Sequence, residues 1–341
     1  MRPMNMRIRA VLVVATSLVL LAAACASEEQ AGLDGSPEPE ATPGAPSTLV
    51  AFDGDAAEFT EGVAVDADGN VFASVTPQGR LVRIAADSNE AEDFGKIDGL
   101  REDDFGLLGL TVDADGNVYG GVVSENPDAN GVWRFDAESG DAERLPGSDK
   151  ISFANAVIVD DDTIYVTDTI GPGGKGAVWR IPEDGDAELW AQGGLLAGNG
   201  SFEFGFNLGA NGIDVHNDTV YVGVTETAMI AAIPIEGDGS AGEVTTFTDL
   251  TEAAPGGEPA AVDGIDIDED GSIYVAAPLV HLVLKVSSDG EDVSTVADAG
   301  DNLDGPASVA IGEDALYVAN FSAALGESSN NKGPSIVRVP I

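Results

Sequence analysis

Asn211-Gly212-Ile213-Asp214-Val215, followed five residues further on by Val220-Tyr221, is the fourth of six copies of one pattern: an apolar strand, an acidic turn, then a second strand opening on an aromatic. The other copies start at Gly62-Val63-Ala64-Val65, Gly109-Leu110-Thr111-Val112, Ala156-Val157-Ile158-Val159, Gly264-Ile265-Asp266-Ile267 and Ser308-Val309-Ala310-Ile311. They continue at Val71-Phe72, Val118-Tyr119, Ile164-Tyr165, Ile273-Tyr274 and Leu316-Tyr317, so that all five tyrosines of the chain share one column. A period of 44 to 56 residues, with several short strands per copy, is the mark of propeller blades.

A third strand follows in each copy, at Leu81-Val82-Arg83-Ile84, Val132-Trp133-Arg134-Phe135, Val178-Trp179-Arg180-Ile181, Ile230-Ala231-Ala232-Ile233, Leu282-Val283-Leu284-Lys285-Val286 and Ile336-Val337-Arg338-Val339. Its basic residue recurs in five of the six copies and is expected to pair with acidic neighbours. Trp133, Trp179 and the tyrosine column read as packing between blades. Outer strands follow, as at Ala187-Glu188-Leu189-Trp190 and Glu243-Val244-Thr245-Thr246-Phe247. No helical periodicity competes. The sixth copy stops after its third strand, while Thr48-Leu49-Val50-Ala51-Phe52, ahead of the first copy, has an outer-strand pattern and no neighbour. Seating it on the sixth copy closes the ring and removes an exposed edge. The expected fold is an all-β, six-bladed propeller over residues 48–341, closed by its N-terminal outer strand.

The start of the chain belongs to export. Arg2, Arg7 and Arg9 precede an apolar run from Ala10 to Ala24, which reads as a secretory signal over residues 1–24 and is too short for a spanning helix. It ends on Cys25, the only cysteine, in a setting that resembles a bacterial lipobox with Ala22 in place of the usual Leu. Lipidation of Cys25 is therefore expected. Residues 25–47, with Pro37, Pro39, Pro43 and Pro46 among Glu, Ala, Gly and Ser, read as an acidic tether without a core. This implies an extracytoplasmic lipoprotein that meets the membrane through its lipid alone; a monomer is expected. With 60 acidic against 15 basic residues and a formal net charge of −45, the chain repels phosphate backbones, which argues against nucleic acid as a partner.

One column breaks the repeat. Four residues before each closing apolar residue of the first strand stand Glu61, Leu108, Asn155, Asn211, Asp263 and Ala307. In a propeller the first strands line the central channel, so these six side chains meet at one mouth. Four of them bear oxygen, and converging carboxylates and amides are costly unless a cation sits among them. The starts Glu61-Gly62, Asn155, Asn211-Gly212-Ile213 and Asp263-Gly264-Ile265 resemble the SMP-30/gluconolactonase family, also called regucalcin-like or LRE-like. The resemblance implies a divalent cation held by Glu61, Asn211 and Asp263, with Asn155 at the site. It also implies hydrolysis of sugar lactones, with Asp263 as base. Two departures stand out: Asn155 is followed by Ala156 where the family often has Asp-Gly, and a sugar-contacting Arg two residues before that Asn is Phe153 here.

A hard, all-oxygen donor set with no His or Cys in the column favours calcium, with magnesium or manganese as alternatives. His281, at the start of the third strand of blade five, reads as a rim histidine or a substrate contact. Asp168 and Glu226, in equivalent loops of blades three and four, are candidates for a supporting layer. The acidic Asp66–Asn70, Asp113–Asn117 and Asp268–Ser272 segments lack the spacing of calcium loops and read as hairpin turns. Gly171–Gly176 precedes a strand and is no phosphate loop. The leading functional expectation is a metal-dependent hydrolase of a lactone or related small ester. The alternative is a non-catalytic, membrane-tethered propeller that binds a ligand or partner over a structural ion. A lyase resembling streptogramin lyases would need histidine chemistry that two histidines scarcely supply.

Overall fold

A computed structural model describes residues 44–101, 103–183, 185–202, 205–322 and 332–341. The expected signal, the expected lipidation site Cys25 and the expected tether as far as residue 43 lie outside the described residues. Within them, 24 strands form six four-stranded antiparallel sheets arranged as the six blades of a β-propeller, with six single-turn 3-10 segments and no α-helix. Five blades run in simple order from channel to rim. In the sixth, Ser47–Ala51 pairs antiparallel with Ser335–Pro340 and supplies the missing outer strand. The closure expected from the unpartnered Thr48–Phe52 pattern is what the chain adopts.

The recurring columns each have a packing role. Every second-strand aromatic, from Phe72 to Tyr317, packs in the cluster shared with the following blade. In register opposite it stands the third-strand basic residue: Phe72 faces Arg83, Tyr119 faces Arg134, Tyr165 faces Arg180, Tyr274 faces Lys285 and Tyr317 faces Arg338. Lys285 Nζ lies 4.9 Å from the Tyr274 ring centroid. Acidic pairing holds for Arg180 with Glu188, Lys285 with Asp268 and Arg338 with Asp314. Arg134 instead donates to the Asn117 side-chain oxygen at 2.7 Å. The hairpin turns are held as their sequences imply, with the Asp66 and Asp113 carboxylates accepting from the backbone two and four residues on.

The six innermost strands converge on the axis. Their closeness explains the glycine after most ring positions. A Cβ on Gly212 would sit 2.3 Å from the Asp263 carbonyl oxygen, and one on Gly62 would sit 2.3 Å from that of Leu108. The Gly212 amide donates to Asp263 O, and Gly264 donates to Ala307 O, so neighbouring blades are stitched together directly below the ring.

Candidate active site

Five of the six ring residues sit at a local irregularity of their strand, all but Asp263. The innermost strands Thr60–Val65, Gly106–Val112, Ala154–Asp160 and Ala210–His216 all shift register at the ring position, between Thr60 and Val63, Leu107 and Leu110, Ala154 and Val157, and Ala210 and Ile213. Such bulges bend a strand and redirect a side chain. Here they turn Glu61, Leu108, Asn155 and Asn211 towards the channel mouth. Asp263 comes just before the strand Ile265–Ile267, yet its amide donates to Ala276 O, which fixes it at the equivalent place.

The polar side of the ring is tightly organised. Glu61, Asn155 and Asn211 are buried, whereas Asp263 is half-buried. Burial pushes the Asp263 carboxyl up to about 7 against the downward pull of a hydrogen bond from Asn211. Burial, and then the charge of Asp263, hold the Glu61 carboxyl well above the usual range. The two carboxylates therefore sense one another across the mouth, with Asn211 touching the second.

Two threonines orient the amides. Asn155 Nδ2 donates to Thr169 Oγ1 at 3.1 Å, and Asn211 Nδ2 donates to Thr225 Oγ1 at 3.0 Å, each across 14 residues. With the NH2 group committed, each amide presents its oxygen elsewhere. Asn155 Oδ1 and Glu61 Oε2 are buried and have no hydrogen-bond partner. An orphaned amide oxygen and an orphaned carboxylate oxygen in one ring are what a hard cation would satisfy, so the residues fit a divalent ion through oxygen donors. Among the described residues no three His, Cys, Asp or Glu side chains cluster as a metal group. Any ion here depends on the amides as well as the two carboxylates.

The supporting candidates hold the loops around the ring. Asp168 is fully buried and accepts from the amides of Ser152, Phe153 and Gly171, from Ser152 Oγ, and from Trp179 Nε1. Its oxygens organise the loop ahead of Asn155. Glu226 accepts from the Gly200 amide at 2.5 Å and tethers the long loop ahead of Asn211. His281 takes a left-handed conformation at φ 53°, and its Nδ1 accepts from the Gly305 amide at 3.0 Å, beside Asp304. It joins the loops of blades five and six. The residues that sequence reading missed are Thr169 and Thr225, each immediately beside a candidate it did name. The signal available was the equal separation from Asn155 and Asn211.

Below the ring the channel opens into a cavity of about 850 Å³ towards the hairpin turns. Asp214 and Asp266, on the innermost strands of blades four and five, line it side by side. Asp214 Oδ2 accepts from the Ile267 amide and Asp266 Oδ2 from the Ile311 amide, both at 2.7 Å. Burial, followed by the neighbouring Asp266, raises the Asp214 carboxyl well above the usual range, and burial pushes Asp266 up to about 6. This volume is distinct from the ring above it and contains none of the four oxygen-bearing ring residues.

A six-bladed propeller with an oxygen-lined mouth is the class that the fold and site define. Residues 207–321 match the model of the SMP-30/Gluconolactonase/LRE-like region, a stretch that includes Asn211 and Asp263 but not Glu61 or Asn155. No curated protein matches the chain in sequence. Among solved structures, the chain is similar to a gluconolactonase from Xanthomonas campestris (18% identity, TM-score 0.61, covering 86% of this chain and 89% of that one). It is also similar to regucalcin, a calcium-binding protein from Agrobacterium tumefaciens (16% identity, TM-score 0.60, 83% and 90%). A luciferin-regenerating enzyme superposes equally well (15% identity, TM-score 0.61, 83% and 92%). Identities this low establish a shared fold.

Proposed function

We propose that the protein is a divalent-metal-dependent hydrolase of a lactone or related small ester. It would be exported and held at the cell envelope by lipid on Cys25, working as a monomer on a small molecule. The observation that carries the reading is the pair of buried, unpartnered oxygens, Glu61 Oε2 and Asn155 Oδ1, in the same ring as Asp263 and Asn211. Glu61, Asn211 and Asp263 would hold the cation, calcium by preference, with the Asn155 oxygen beside it. When bound, such an ion polarises a carbonyl oxygen. Asp263 stands where it can accept a proton from water. The water oxygen then bonds to the carbonyl carbon, the ring C–O bond breaks, and the proton passes to the leaving alkoxide to give the hydroxy acid. The family match and the gluconolactonase neighbour support the same chemistry.

The test is a panel of lactones and esters assayed with chelator and with calcium, magnesium or manganese restored. Turnover that chelation abolishes and Asp263→Asn removes supports the proposal. Ion binding without turnover on any substrate favours a non-catalytic ligand-binding propeller.

A further inference from the structure

Six of the seven apolar clusters have an evident structural cause, because each joins two neighbouring blades. The seventh also spans neighbouring blades, two and three, but it lies at the level of the ring and takes its aromatics from the connections around the mouth. It consists of buried Leu108, Val123 and Phe153, with half-buried Phe105, Ile170 and Phe206 packed on them. Phe153 is its centre: its ring centroid lies 5.1 Å from that of Phe105 and 5.9 Å from that of Phe206.

This cluster is continuous with the ring. Leu108 is itself a ring residue, Phe153 lies two residues before Asn155, and Ile170 follows the Thr169 that orients Asn155. Phe206 comes from the loop that Glu226 tethers through Gly200. In a ring of six blades, the blade-two position of Leu108 is opposite the blade-five position of Asp263. The mouth thus carries oxygen donors on blades one, three, four and five, with the aromatic cluster over blades two and three, between Glu61 and Asn155 and across from Asp263. Polyhydroxylated substituents on the aromatic side would lose water without gaining hydrogen-bond partners from Leu108, Phe105, Phe153 or Phe206.

We propose that this wall is a specificity subsite for a hydrocarbon or aryl substituent, so that the substrate class is an alkyl- or aryl-substituted lactone or ester rather than a sugar lactone. The inference rests on the hydrolase reading for its chemistry but on the Phe105–Phe153–Phe206 wall for its direction. Contact with an apolar wall contributes up to about 0.8 kcal/mol per buried methylene, which is about a fourfold gain for each methylene until the wall is covered.

The experiment pairs turnover with binding. kcat/KM is measured for γ-butyrolactone, its 5-hexyl homologue γ-decalactone and glucono-δ-lactone. Calorimetry with the corresponding 5-alkyl 2-pyrrolidones, which resist hydrolysis, reads affinity alone. The expected result is a rise of at least tenfold from the unsubstituted to the hexyl compound in both series, with the sugar lactone the poorest substrate. Phe206→Ala should flatten that rise, and Phe206→Leu should restore much of it, with thermal melting of each variant as the folding control. A rise in lactam affinity without turnover of any lactone upholds the wall and overturns the hydrolase. Turnover indifferent to chain length, or glucono-δ-lactone as the best substrate, overturns the wall and leaves the hydrolase standing, and lactam binding indifferent to chain length overturns the wall whatever the turnover. Absence of binding by every lactam together with absence of turnover overturns both.

Discussion

Replacing Asp266 by Asn should stabilise the protein, and the gain should depend on pH. Burial is what raises the Asp266 carboxyl, opposed by hydrogen bonds from the Ile311 and Ile267 amides and from Asp214 and only slightly helped by Asp268, which is itself paired with Lys285 at 3.2 Å. Folding carries the Asp266 carboxyl from an ordinary value near 3.8 up to about 6. A carboxyl raised in this way is at no disadvantage below pH 4, where both states are protonated. As pH climbs from about 4 through about 6, the unfolded chain ionises first and the folded state loses stability. At about 1.4 kcal/mol for each tenfold difference in proton affinity, the loss is about 3 kcal/mol. The amide introduced by Asp266→Asn would stay neutral throughout. Its side-chain oxygen can still accept from the Ile311 amide, and its NH2 group can donate to Asp214. The assay is equilibrium urea denaturation of both proteins in chelator between pH 4 and pH 8. The two curves should nearly coincide at pH 4 and separate by about 3 kcal/mol in favour of Asp266→Asn above pH 7. A constant difference at all pH values, or a variant less stable at pH 7.5, would refute the reasoning, since the neutral side chain would then relieve no buried charge.

Other expectations test the packing, the oriented amides and the anchor. Gly212→Ala places a methyl group against the Asp263 carbonyl, 2.3 Å from its oxygen, and should cost about 1–3 kcal/mol of stability by thermal or urea unfolding. Thr169→Val keeps the shape but removes the acceptor that fixes Asn155, so calcium affinity by calorimetry should fall about tenfold with melting in chelator little changed. Cys25→Ser should leave the membrane fraction or accumulate as precursor on fractionation; equal membrane association would reject the lipid anchor.

Much of the fold was legible because a propeller repeats its packing. The tyrosine column and the basic column are cross-strand partners in five of six blades when Phe72 is counted, and a repeated pair leaves a repeated mark in sequence. The closing strand was legible from an imbalance: one blade short of a strand and one segment short of a partner. The ring was legible because Glu61, Asn155, Asn211 and Asp263 depart from a column that packing alone would keep apolar. What escaped depended on loop paths. The bulges at the ring positions leave no residue signature beyond the following small residue. Asp168 was legible only as a supporting candidate, and its five donors from its own loop and blade, which hold the path into Asn155, could not be read from its position alone. The aromatic wall draws Phe105, Phe153 and Phe206 from three separate connections, and no local pattern announces that they meet.

The central claim is that Glu61, Asn155, Asn211 and Asp263 present their oxygens to one divalent cation. Isothermal titration of the chelator-stripped protein with calcium, repeated with magnesium and manganese at physiological salt, tests it most directly when wild type is set beside Glu61→Ala and Asp263→Ala. The account predicts one saturable ion per chain in the wild type, lost in both variants while their folded β signal by circular dichroism persists. Failure of all three ions to bind, or binding of equal affinity in wild type and both variants, would contradict it.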